Sequence, residues 1–216
     1  MQISDFGVLF MTEVKATPLL EWAAIVFSVA EVLFAKNNKV WLYPAGIVST
    51  AIYMWLFVRP GTKLYADAIL NLYYLAMSIY GWVLWSKRNT NHKALQITYC
   101  NKKDWMVVLG FVFIGWLVLY LLLTQVFVFL FPWYSPSDVA LWDAFVSSTA
   151  WAGMWLLAKR KIENWVLLNI SNLAAIPLLI YKGMPFTACL TLFLFIVAIF
   201  GYLEWRKLYH TRPAVA

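Results

Sequence analysis

Charge is what this sequence has least of. Asp, Glu, Lys and Arg make up 12% of its 216 residues, where a soluble domain carries about a quarter, so an ordinary water-exposed fold is excluded. Cysteine is nearly absent: Cys100 falls in a basic stretch and Cys189 in the last apolar one, which leaves no disulfide framework and no metal-ligand spacing. The two histidines, His92 and His210, both lie in polar segments, so no general base of that type is expected inside the apolar ones. No Walker loop, dinucleotide fingerprint, His-Glu-x-x-His pair or nucleophile elbow occurs. The chain therefore reads as neither an enzyme nor the holder of a metal or cofactor. The N-terminus lacks a basic region followed by a small-residue cleavage site, so no removable signal peptide is expected.

What fills the sequence instead is apolar: 63% of residues are hydrophobic, 19% aromatic, and the mean hydropathy is +0.72. Such a chain is a polytopic membrane protein, counted in spans of about 20 residues. Seven all-α spans are predicted, over 19–35, 40–58, 64–85, 105–131, 141–158, 164–181 and 185–205. Thr17 is placed to cap the first and Pro18 to occupy its first turn. Pro60-Gly61 marks a turn, and residues 132–137 a turn-rich break. The fourth span is the most uniformly apolar and has no counterpart elsewhere.

The other six fall into two sets of three. The third span ends Tyr80-Gly81-Trp82-x-x-Trp85 before Lys87-Arg88, and the seventh ends Phe200-Gly201-Tyr202-x-x-Trp205 before Arg206-Lys207. Ala35-Lys36 leads to Trp41 and Ala158-Lys159 to Trp165, with Ala51-Ile52 and Ala175-Ile176 later at matching depth. These likenesses predict an internal repeat. One span between the two sets makes the repeats parallel, a 3+1+3 arrangement like that of the SWEET carriers, with a site near the bilayer midplane between the halves.

Of the 17 Lys and Arg, 13 lie after the first, third and fifth spans and in the C-terminal tail. By the positive-inside rule these segments are cytoplasmic and the N-terminus is outside. The net charge of +7 thus reports topology, and no nucleic-acid partner is expected. The predicted organisation is an extracytoplasmic segment (1–18), a first triple-helix unit (19–86), a basic cytoplasmic loop (87–104), a linker helix with its outer loop (105–138), a second triple-helix unit (139–206) and a cytoplasmic tail (207–216).

The spans hold few carboxylates: Glu21, Glu31, Asp67 and Asp143. All but Glu31 sit near outer helix ends, and Glu31, near the cytoplasmic end of the first span, is read as snorkelling or paired with Lys36. Without a midplane carboxylate, passive movement of a solute is the simplest mechanism; an ion-coupled carrier using Glu31 is the alternative. Uncharged polar groups do reach the interior. Asn169 and Asn172 lie three apart on one helical face before Pro177, and Asn71, Ser49, Tyr53, Gln125 and Thr191 stand on other spans. Tyr73, Tyr74, Trp151 and Trp155 are at membrane depth. Amides and hydroxyls among aromatic rings suit a flat heteroaromatic solute bearing hydroxyls, cations included. Alternatively the same groups are glue between helices. Asp143, Tyr80, Trp82, Trp165 and Pro177 are candidates for gate or structural roles.

Glu163-Asn164-Trp165, Leu64-Tyr65-Ala66, Tyr80-Gly81-Trp82, Gly46, Asp143 and Gly201-x-x-x-Trp205 together resemble the PnuC family of bacterial vitamin-precursor transporters, over residues 19–205. The resemblance implies a seven-helix, SWEET-like fold in the bacterial inner membrane. It also implies facilitated diffusion of nicotinamide riboside, trapped by a cytoplasmic kinase. The family commonly has Trp where Leu168 stands, Gln where Asn71 stands and a large polar residue where Thr191 stands, while Asn172 matches some members. These departures leave open a thiamine carrier of the PnuT-like branch. Association into homo-oligomers is expected because many small carriers associate, although no GxxxG face supports it.

Overall fold

The computed structural model describes residues 3–59, 65–87 and 95–211. The Pro60-Gly61 turn, Leu64, Arg88, His92 and the tail beyond Thr211 lie outside the described residues, as does the side chain of Asp67. Among the described residues the chain forms eight helices: α1 (Ile3–Ala16), α2 (Leu19–Lys36), α3 (Leu42–Val58), α4 (Tyr65–Ser86), α5 (Lys102–Leu130), α6 (Ala140–Ala158), α7 (Asn164–Tyr181) and α8 (Pro185–His210). α5, α7 and α8 are each long and apolar enough to cross a membrane. α1 and α2 meet that test only together, with a bend of 104° between them, and α3 is a shorter apolar helix.

The first correction concerns α1. The N-terminal residues form a helix with its own packed face, on which Phe6 and Phe10 stack at 6.5 Å and Phe10 meets Phe186 edge-on at 5.6 Å. The helix stops because Pro18 is extended (φ −67°, ψ 155°) and stands just before α2. Thr17 does not cap α2. Its hydroxyl donates back to the Glu13 carbonyl at 2.8 Å. Glu13 in turn accepts the backbone N–H groups of Phe186 (2.7 Å) and Thr187 (3.2 Å) and the Thr187 hydroxyl, satisfying donors left free at the start of α8.

Two triplets, α2 to α4 and α6 to α8, share local geometry. Asn38 and Arg160 both turn through the left-handed region, at φ 54° and 53°. The six-residue turns they close are also alike, Lys39 N–H donating to the Phe34 carbonyl and Lys161 N–H to that of Leu156, each at 2.9 Å. The Ser49 hydroxyl donates to the Ala24 carbonyl at 3.0 Å, and the Ser171 hydroxyl to that of Val146 at 2.8 Å. Each correspondence is an offset of 122 residues. A second correction follows: Trp165 has Tyr43 as its counterpart, while Trp41 points outward, 64% exposed. Tyr43 lies against Gly81 and Trp165 against Gly201, in both cases so closely that only glycine fits: a Cβ there would come within 2.2 Å and 2.7 Å of the rings.

Within each triplet consecutive helices pack side by side, and the triplets meet where α2 touches α8 and α4 touches α6. α5 leans on α6, with Leu119, Leu123 and Phe127 against Ala140 and Ala144. Its ladder holds two π turns, Gly110–Ile114 and Leu122–Val126. Its start is fixed by a capping box between Asn101 and Asp104, and Asp104 also pairs with Lys161 at 2.9 Å. Just before it, Thr98 bridges to the turn between α6 and α7, donating to the Arg160 carbonyl and accepting from Ile162 N–H. This strap was not foreseen from the sequence.

Candidate functional site

The basic end of the two triplets, where α2, α4, α6 and α8 finish, is closed by a dry aromatic plug. Trp85, Trp165 and Trp205 are at most 5% exposed and pack with Tyr43, Ala35, Leu42, Leu157 and Ala198. Trp205 meets Trp165 edge-on at 5.6 Å and Trp85 at 6.0 Å, and Tyr43 meets Trp85 at 5.2 Å. The two indoles exchange bonds between triplets. Trp85 Nε1–H donates to the Ala158 carbonyl at 3.0 Å, and Trp205 Nε1–H to the Ala35 carbonyl at 2.9 Å. These acceptors are carbonyls at helix C-terminal ends, and that of Ala35 also accepts the Asn38 backbone N–H at 2.9 Å. Beneath the plug, the Arg160 guanidinium lies 3.8 Å from the centre of the Trp85 ring.

Above the plug is a cavity of about 310 Å³ that draws its lining from all six triplet helices. The first triplet contributes Ser28, Glu31, Val32, Ala35, Ser49, Thr50, Tyr53, Asn71 and Tyr74. The second contributes Ala150, Met154, Leu157, Trp165, Leu168, Asn172, Leu194 and Ala198. Among the described residues no Lys or Arg lines it. On the side away from the plug lies a vestibule of about 490 Å³ that includes Glu13, Glu21, Phe57, Phe186 and Leu190. Tyr53 and Asn71 line both spaces and so stand at the boundary.

The residues singled out from the sequence divide into those the cavity gathers and those it does not. Asn71, Asn172, Tyr53 and Tyr74 line it, with Trp165 at the floor. Ser49 lines it too, but its hydroxyl is committed to the Ala24 carbonyl. Asn169 turns the other way, into a groove between α7 and α8 with Val166, Ile170 and Leu173. A spacing of three identifies a face but not which neighbour that face meets, and here Asn172 and Asn169 part company. Gln125 is exposed on a π turn of α5. Trp151 stacks on Tyr73 at 4.4 Å, and the Tyr73 hydroxyl donates to the Trp151 carbonyl at 3.0 Å, joining α4 to α6 outside the cavity. Trp155 lies against Phe111, with the Lys159 ammonium 4.0 Å from its ring centre. The Thr191 hydroxyl donates to its own helix at Thr187.

Of the gate and structural candidates, Trp165 belongs to the plug. Tyr80 and Trp82 are 42% and 44% exposed and face outward. Asp143 pairs with Lys182 at 2.6 Å, tying the start of α6 to the end of α7. Pro177 stands inside α7 on its exposed side. Glu31 is the largest correction: it is not paired with Lys36, whose ammonium sits over the Phe200 ring at 5.5 Å. Its carboxylate lies inside, against Gly46. The signal was present, since Ser28, Glu31, Val32 and Ala35 follow the three-and-four spacing of one helical face. Among the described residues no group of three or more His, Cys, Asp or Glu could hold a metal ion.

Comparison with known proteins bears on this arrangement. Residues 18–207 match the family described as nicotinamide mononucleotide transporter. Two curated relatives, from Escherichia coli (strain K12) and Shigella flexneri, are both named nicotinamide riboside transporter PnuC. Each is 24% identical over 207 residues, covering 86% of this chain and 85% of the relative. A solved structure described as the crystal structure of the vitamin B3 transporter PnuC matches with a TM-score of 0.69 at 20% identity, covering 98% of this chain and 91% of that one, so the fold is shared.

Proposed function

The chain belongs to the nicotinamide mononucleotide transporter family, and from that premise we propose that it carries nicotinamide riboside across the bacterial inner membrane by facilitated diffusion, with a cytoplasmic kinase trapping the product. Its relatives are transporters rather than enzymes. The observation that carries the reading is the cavity itself, to which every triplet helix contributes and the linker α5 does not. The family's description names a mononucleotide and the relatives' names a riboside. The lining favours the riboside, because among the described residues a phosphate dianion would meet one carboxylate and no Lys or Arg.

In this reading the basic end is cytoplasmic, the N-terminus is outside, and the vestibule opens outward above a closed cytoplasmic plug. The units are those read from the sequence (19–86 and 139–206, with the linker over 105–138), a SWEET-like 3+1+3 parallel repeat to which α1 is an addition. The paired turns and paired serine bonds support it. Transport is a rocking of one triplet against the other that opens the plug. That motion is helped by two buried plug groups, the Tyr43 hydroxyl and the Trp165 indole N–H, which lack hydrogen-bond partners in the closed form. Each such group costs roughly 1–3 kcal/mol. Asn71 and Asn172 hold the sugar hydroxyls, and Tyr53 and Tyr74 face the ring. Self-association of the carrier completes the reading.

Calorimetry on the purified protein tests the substrate. Nicotinamide riboside is expected to bind and thiamine to bind more weakly. The second reading, a thiamine carrier of the PnuT-like branch, is favoured by Leu168 in the cavity wall, an aliphatic surface at a position where the family resemblance expects a stacking Trp. Binding of thiamine alone would establish it. Cross-links between α2 and α6 that leave transport intact would argue against rocking.

A further inference from the structure

Among the described residues Glu31 is the only charged group in the cavity lining. Its carboxylate is seated against α3 at Gly46, so closely that a Cβ there would come within 2.6 Å of Oε1. Among the described residues it has no ion-pair partner. The 122-residue correspondence places Gly153 opposite Glu31 and Leu168 opposite Gly46. In that second pair the bulk is on the other member: a Cβ at Gly153 would come within 2.9 Å of the Leu168 side chain. The two triplets thus fill equivalent spaces, one with a carboxylate from its first helix and the other with an aliphatic side chain from its second.

A carboxylate withdrawn from water without a counter-charge is costly. A cation entering the cavity supplies that charge, and the tyrosine rings of Tyr53 and Tyr74 add their own attraction for it. Across from Glu31, Leu168 and Met154 offer an apolar wall suited to a flat ring. We propose that Glu31 is the specificity-determining group of this cavity, selecting aromatic cations, N-substituted pyridinium or thiazolium rings, over neutral rings of the same shape. The proposal rests on the reading of the cavity as the substrate site.

The test compares ligands that differ in ring charge alone. Calorimetry on the full-length protein measures the affinities of nicotinamide riboside and of its neutral aromatic C-nucleoside analogue, the riboside of benzamide, which keeps the sugar and the carboxamide. The parent protein is expected to prefer the cation by on the order of tenfold or more. Glu31→Gln should bring the two affinities within about twofold by weakening the cation alone, and Glu31→Asp should keep most of the preference. Equal affinities in the parent, which need no variant, would overturn the proposal. So would a preference that survives Glu31→Gln. Thiamine separates the two claims. If nicotinamide riboside does not bind but thiamine does, and Glu31→Gln weakens it, the inference stands and the nicotinamide reading falls. If nicotinamide riboside binds equally to parent and Glu31→Gln, the inference falls and that reading stands.

Discussion

The two triplets are alike at the plug and unlike in the cavity. At the plug, Trp85 and Trp205 each donate to the last turn of the other triplet's first helix, at Ala158 and Ala35, and Tyr43 and Trp165 occupy the same place over Gly81 and Gly201. In the cavity the correspondence of position persists but chemistry does not: Ser28 faces Ala150, Glu31 is matched by Gly153, and Tyr74 by Leu194. Closure needs two matching halves because each supplies the donor for the other's helix end. Recognition of an asymmetric solute needs two different walls. The first triplet is the polar wall and the second the apolar one, with Asn172 opposite Thr50 as the exception.

The likeness at the plug breaks most sharply with glycine substitutions. Gly81→Ala and Gly201→Ala should each lower stability by about 3 kcal/mol, as over-packing of a tight core does. The first should suffer more, since its Cβ would stand 2.2 Å from Tyr43 against 2.7 Å from Trp165. Thermal unfolding in detergent measures both, and tolerance of either would show the plug to be looser than drawn. Next come Trp85→Phe, which strands the Ala158 carbonyl at a cost of about 1–3 kcal/mol, and Trp205→Phe, whose acceptor at Ala35 keeps the Asn38 N–H and so loses less. The first loss should exceed the second, and a single cysteine placed at Leu157 should become more reactive from the basic side in both. A larger loss for Trp205→Phe would contradict that ordering.

Sharpening the contrast in the cavity calls for the two asparagines of α7. Asn172→Leu should weaken substrate about tenfold, or about 1.4 kcal/mol, while Asn169→Leu should leave affinity within about twofold; calorimetry that found the reverse would relocate the site to the α7–α8 groove. A smaller effect concerns the strap, present among the described residues only on the second triplet's turn. Burial pushes the Asp104 carboxyl up, but the Asn101 backbone N–H and the Lys161 ammonium outweigh it and hold the carboxyl below its ordinary value. A depressed carboxyl stabilises above its unfolded value, about 3.9, and that stabilisation is lost as pH falls through the folded one. Amide-exchange protection of the strap should therefore fall only below about pH 4, and a fall at neutral pH would contradict the pairing. Smallest of all, Lys182→Gln should cost under about 1 kcal/mol, because its partner Asp143 keeps contact with solvent.

Helix positions, the matching endings at Trp85 and Trp205, and the family were legible in the sequence because membrane-length apolar runs and basic flanks are strong local signals. Facing was not. A helix wedged between neighbours on one side and apolar surroundings on the other carries no polar stripe to mark its inner face, so Asn169 and Asn172 looked equivalent, and Glu31 appeared to belong with Lys36, its nearest base in sequence. The register slipped by two residues for a related reason. Trp41 matched Trp165 by residue type, whereas the fold matches Tyr43 to it by the space left at a glycine. α1 was missed because its packed face depends on Phe186, far along the chain, and on a carboxylate that caps a distant helix.

The exchanged tryptophan bonds have a consequence for how such a molecule is put together. Each triplet ends in an indole donor whose acceptor lies on the other triplet, so a lone triplet is an open hook whose natural mate is another of its kind. Two copies of the first triplet could clasp in the same way, but they would bring two carboxylates into one space of about 310 Å³. Joining both triplets in a single chain removes that constraint, because each half then drifts independently. One keeps the charge, the other has glycine and leucine at the matching positions, and the cradle becomes handed, with a charged wall and a plain one.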